Sequence, residues 1–162
     1  ASDNLSMTAR TMDVAGGAQI TAHHATYNVA DSMRNRDGTL SVYNGGTMKV
    51  TAGDFENFKA GDLQAAWLWL DARRMNNDGS IVGSSLLDAT LGAGDSINSG
   101  VMSSTHNLKV TGETANLSNT GSLTSEANAT LTLLSLDNAK LVEASDRLSL
   151  VIRPSAGQSP GT

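Results

Sequence analysis

Short runs of alternating apolar and polar residues fill this chain, and small polar turns interrupt them at regular intervals. Around the turn Asn119-Thr-Gly121 stand Leu108-Lys-Val110, Ala115-Asn-Leu117 and Ser122-Leu123-Thr124. Alternation over about three to five positions predicts short, half-buried strands. The Asn-x-Gly text predicts corners, because both residue types tolerate a positive φ. One such unit has too little apolar surface to fold alone, so neighbouring units must complete its core.

The unit recurs. Asn98-Ser-Gly100-Val-Met102 and Asn77-Asp-Gly79-Ser-Ile81 precede it, with Lys59-Ala-Gly61-Asp-Leu63, Arg36-Asp-Gly38-Thr-Leu40 and Gly16-Gly17-Ala-Gln-Ile20 upstream. Asn138-Ala-Lys140-Leu-Val142 follows it, with lysine in the glycine slot. That slot falls at 17, 38, 61, 79, 100, 121 and 140, giving intervals of 21, 23, 18, 21, 21 and 19. A second marker keeps the same phase: an apolar pair at Met48/Val50, Trp67/Trp69, Leu86/Leu87, Leu108/Val110, Ala129/Leu131 and Leu148/Leu150. Self-similarity at a period of about twenty residues decides the fold before any single residue does. At about 3.3 Å per residue, such a unit makes one turn of a three-sided tube, and turns stack about 4.8 Å apart as parallel strands.

The expected fold is therefore all-β, a parallel β-helix (β-solenoid) of about seven coils of roughly 20 residues. It should occupy 1–153, with 154–162 as a linker or disordered tail of turn chemistry around Pro154 and Pro160. Leucine-rich repeats share the period but need denser leucines and a helical outer side. A β-sandwich would seldom repeat the same corner text. In chain order, Leu5, Met7, Met12, Val14 and Ile20 are inward candidates of a first coil, and Tyr27/Val29 and Leu40/Val42 alternate in a second. The pattern loosens into a loop at 53–60, around Phe55 and Phe58, and is most regular over 86–153. Ala1-Ser-Asp-Asn-Leu5 enters the pattern at once, which predicts an array that continues upstream.

Composition narrows the function classes. Apolar residues make up 39% and aromatics 4%, which suits a narrow interior of small aliphatics. A net charge of −5 and the lack of a basic stripe argue against nucleic-acid partners. No run approaches the roughly 18 apolar residues of a spanning helix, so none is expected to cross a membrane.

The units LSNTGSLTS, INSGVMSS and MNNDGSIVGS, each followed by an L-x-V or L-x-L strand, resemble the haemagglutinin repeats of filamentous haemagglutinin and related large exoproteins. The resemblance covers most of the chain and is clearest over 67–153. It implies a right-handed parallel β-helix shaft, secreted or displayed on a bacterial surface, with adhesion to a glycan or protein receptor on another cell. It also implies export of the parent chain by an outer-membrane two-partner secretion transporter, as in contact-dependent growth inhibition exoproteins. The absence of cysteine fits that route, since a periplasmic disulfide would obstruct threading through a pore. The family's secretion domain and toxin modules have no counterpart in this sequence, so neither targeting nor toxin activity carries over. Phage tail fibres and pectin-lyase-like enzymes are the alternative β-helical classes.

Asn77, Asn98, Asn119 and Asn138 hold one slot in successive coils, and stacked amides there would form a structural ladder at a buried corner. His23-His24 is a weak metal candidate, because adjacent strand residues point to opposite faces and zinc would need carboxylates to complete its ligands. The acids Asp54, Asp71, Asp88, Glu113, Glu126 and Asp146 share no slot, and no nucleophile-elbow motif accompanies the serines. No enzyme activity, cofactor or metal is expected. All six aromatics precede residue 70, and Trp67 and Trp69 share a strand face just before Arg73-Arg74. These four residues are the candidate binding patch, for a sugar or a protein, with interior packing as the plainer role for the indoles. Open coil edges predict end-to-end self-association.

Overall fold

The computed structural model describes residues 2–153, and every strand pairing in it is parallel. The strands are β1 (Ser2–Val14), β2 (Gln19–Asn35), β3 (Thr39–Asn57), β4 (Asp62–Asn77), β5 (Ser80–Leu91) and β6 (Gly94–Asn98), then β7 (Val101–Ser104), β8 (Asn107–Asn119), β9 (Ser122–Ser125), β10 (Asn128–Asn138), β11 (Leu141–Ala144) and β12 (Arg147–Ile152). Each passes beside the strand about twenty residues away, so the chain winds as a β-solenoid of about seven turns. The long strands bend at corners. β3 pairs with β4 in three runs, 39–41, 47–52 and 54–57, which are the three sides of a coil.

The register fixes the core. Leu5, Ala25, Met48, Leu68, Leu87, Leu108, Ala129 and Leu148 stand in one column, and Met7, Tyr27, Val50, Leu70, Ala89, Val110, Leu131 and Leu150 in the next. From Ala25 to Leu131 these side chains are buried. In the last described coil the same slots are open: Leu148 is 47% and Leu150 50% exposed. A coil buries its inner face only between two neighbours, which is why the terminal one cannot.

Four details depart from the sequence reading. The inward pair of the fourth pass is Leu68/Leu70, with Trp67 and Trp69 turned outward; that of the fifth is Leu87/Ala89 rather than Leu86/Leu87. A one-residue slip exchanges the two faces of a strand, and Trp67-Leu-Trp69-Leu70 offers apolar residues in both phases. The slot assigned to Gly17 belongs to Ala18, whose carbonyl accepts from Thr39 N at 2.9 Å. Residues 53–57 are not a loop, since β3 runs on to Asn57 with Phe55 in the core and only Phe58 exposed.

The fourth departure concerns the corners. Positive φ occurs at Gly16, Gly17, Asn44, Gly45 and Gly94, and at none of the corner glycines 38, 61, 79, 100 and 121. Those glycines are needed for space. A Cβ on Gly100 would lie 2.1 Å from the Gly79 carbonyl oxygen, and one on Gly121 2.1 Å from that of Gly100. The tail at 154–162 lies outside the described residues.

Tyr27 is the largest side chain in the core, and its burial pushes the phenol up to about 12. The interior accepts only the neutral form. Its stabilising contribution is therefore whole below about pH 10, the unfolded value, and is lost as the pH rises from there through 12. Spectrophotometric titration should show one phenol ionising only near pH 12 or on alkaline unfolding, a step that Tyr27→Phe abolishes.

Candidate functional site

The outward positions of β3, β4 and β5 make three short columns on one side of the solenoid. They are Thr47–Trp67–Leu86, Lys49–Trp69–Asp88 and Thr51–Asp71–Thr90, one residue per coil. Alternation in β4 buries Leu68 and Leu70 and forces both indoles to the outside. Trp67 is 43% exposed and Trp69 partly so. The ring planes are 16° from parallel with centroids 6.3 Å apart, the wide end of the offset-stacked range. Beside Trp69 runs an open groove of about 370 Å³ lined by Lys49, Trp69, Leu70, Asp71, Asp88 and Thr90.

Asp88 binds Lys109 Nζ at 3.1 Å through Oδ2, while its buried Oδ1 has no hydrogen-bond partner. Asp71, Lys49 and Thr90 are exposed at the groove's rim. The groove thus sets acceptors and donors beside two aromatic faces. Both indoles being outside, the structure assigns them no share of the core. Trp67→Ala with Trp69→Ala should leave the unfolding midpoint close to that of the parent, a change of about 1 kcal/mol or less, measured by urea unfolding.

Arg73 and Arg74 do not join this site. The pairing skips Gly53 and Arg73 while keeping its register, and the chain turns there onto the next side of the coil. There Arg74 Nη2 lies 2.6 Å and Arg73 Nη2 2.8 Å from the Asp54 carboxylate. The Arg74 guanidinium, with help from Arg73, holds the Asp54 carboxyl down at about 2 against its partial desolvation. Both arginines are committed to a link between coils. Sequence proximity suggested a shared patch that the corner divides.

His23 and His24 lie together, their ring centroids 4.2 Å apart, instead of on opposite faces. The register shifts between Ala22 and His24, and that corner undoes strict alternation. His24 Nδ1 lies 2.9 Å from Thr47 Oγ1 and 3.3 Å from Thr47 N, which ties the ring to the next coil. His23 stacks on Tyr43 at 5.7 Å. Among the described residues no three His, Asp or Glu side chains gather as metal ligands.

At the corner that closes the third side of each coil, the amides of Asn77, Asn98, Asn119 and Asn138 line up, and Asn35 and Asn57 extend the row. Each Nδ2 donates to the Oδ1 of the next coil: Asn35 to Asn57 at 3.0 Å, Asn57 to Asn77 at 2.9 Å and Asn77 to Asn98 at 2.8 Å. Asn98 to Asn119 and Asn119 to Asn138 follow, both at 2.7 Å. Val14 holds the slot before Asn35. The second proton of Asn77, Asn98 and Asn119 goes to the carbonyls of Val101, Ser122 and Leu141. The first two members escape the sequence reading because their corners are longer: Asn35 stands three residues before Gly38, and Asn57 four before Gly61.

No family model, no curated protein and no solved structure matches the chain.

Proposed function

We propose that the chain is a segment of a stiff shaft in a large exoprotein, secreted by or displayed on a bacterium, which carries a distal region away from the cell and touches a receptor through its Trp67–Trp69 side. The observation that carries this reading is the unbroken parallel stacking from β1 to β12, backed along one corner by the asparagine row. Continuous hydrogen-bonded stacking resists bending, and each coil rests on its neighbours alone, so such a rod lengthens by repetition. The haemagglutinin-repeat resemblance supplies the biological setting, export of the parent chain by two-partner secretion included. Because this stretch has no cysteine, an Asp78→Cys change at an exposed corner adds its only thiol. In the parent protein made by its own cell, the variant should react with a membrane-impermeant maleimide on intact cells or in the medium, above the labelling of the unsubstituted parent. Reaction only after lysis would refute surface display.

A further inference from the structure

We infer that the Trp67–Trp69 side binds a neutral glycan, one or two pyranose rings seated on the indoles with their hydroxyls turned to Asp71, Lys49 and Thr90. This rests on the preceding reading of that side as a contact surface and gives its ligand a chemistry.

Size comes first. The outward apolar residues of the patch are the two indoles and the half-buried Leu86; the other positions in the three columns are threonine, lysine or aspartate. A stable protein interface buries about 800 Å² per partner around an apolar core. Two indoles and a leucine cannot make that core, whereas they match the apolar C–H face of a sugar ring. The groove of about 370 Å³ beside Trp69 sits at the small end of ligand sites, where a monosaccharide fits.

Charge comes second. The groove's Asp88 is neutralised by Lys109, which leaves Asp71 against Lys49 and a balanced charge. An anionic glycan would meet no surplus of positive charge to hold it. A neutral one meets acceptors for its hydroxyl protons and donors for its oxygens. The Oδ1 of Asp88 is buried and closed to a ligand, so the carboxylate open to a sugar hydroxyl is that of the exposed Asp71.

The two indoles are the only tryptophans of the chain, so its emission reports on this site alone. The experiment is a titration of that emission, with retention on a panel of immobilised glycans, using neutral hexose and N-acetylhexosamine oligosaccharides against sialylated and sulfated ones. At least one neutral class should shift the emission saturably and be retained equally at roughly 50 and 300 mM salt. Retention should fall about tenfold or more in the Trp67→Ala/Trp69→Ala double variant and stay within a fewfold in the double Phe variant, which keeps the aromatic faces. Asp71→Asn should weaken it less.

The inference is overturned if no neutral glycan binds, if binding survives the double alanine variant, or if only sulfated or sialylated glycans are retained and salt removes them. Impermeant labelling that succeeds while the glycan panel fails leaves the shaft standing without this ligand. Labelling that fails removes the shaft whatever the panel shows.

Discussion

Gly100→Ala is expected to destabilise the solenoid by about 3 kcal/mol or more, far beyond an ordinary glycine-to-alanine change. The new methyl would sit 2.1 Å from the Gly79 carbonyl oxygen and 2.6 Å from the Asp78 carbonyl carbon. Both are backbone atoms of the coil beside it, so no side-chain rotation relieves the clash. Parting the coils would break the Val101 N to Gly79 O bond of 2.8 Å and strain the bonds that Ser99 N and Gly100 N make to Asn77 O. Gly45→Ala is the control. Gly45 has φ +72° and nothing within 4 Å of a Cβ, so its cost is the left-handed strain alone, about 1–2 kcal/mol. Urea midpoints should rank Gly100→Ala well below Gly45→Ala. The reverse order would mean that the corners need conformational freedom and not space. The chain contains a natural variant of the same test: Lys140 fills the slot in the last corner, and there Leu141 N reaches Gly121 O at 3.3 Å, against 2.8–3.0 Å at the corners of Gly61, Gly79 and Gly100.

The solenoid was legible because its two markers recur in step, and a repeat is evidence about every coil at once. What was not legible depends on a single residue of phase or on where a side ends. Trp67-Leu68-Trp69-Leu70 is apolar at all four positions, so only the neighbours' register, Met48 against Leu68, says which pair faces inward. Thr111 follows Val110 without a break, and a period-2 reading serves there. At His23, Gly53 and Arg73 the chain turns a corner, and alternation stops predicting direction; that is why the histidines meet and the arginines leave the tryptophans. Asn57 was hidden inside an expected loop because Phe55 and Phe58 looked alike in sequence, one being buried and the other outside. The polar rim of the groove draws one residue from each of several coils, a neighbourhood that exists only once the register is known.

The second large effect is expected at the asparagine row. Asn98 is fully buried; it accepts from Asn77 Nδ2 at 2.8 Å and donates to Asn119 Oδ1 at 2.7 Å and Ser122 O at 3.1 Å. Asn98→Ala removes all three bonds and leaves a small void between coils, for a loss of about 3–5 kcal/mol. Asn138→Ala, at the exposed end of the row, should cost about 1 kcal/mol or less. Asn98→Asp keeps the shape and isolates the proton. The new carboxyl could still accept from Asn77, but as an anion it would face two oxygens, Asn119 Oδ1 and Ser122 O, in a dry corner. Its neutral form is favoured, so its folded pKa rises above the usual value of about 4. The stability of this variant is then greatest below that value and falls as the pH rises through the folded pKa, so it should unfold at lower urea at pH 7 than at about pH 4, relative to the parent at each pH. A pH-independent difference between Asn98→Asp and the parent, or an Asn98→Ala cost no larger than that of Asn138→Ala, would mean that the row of amides follows from the stacking and does not support it.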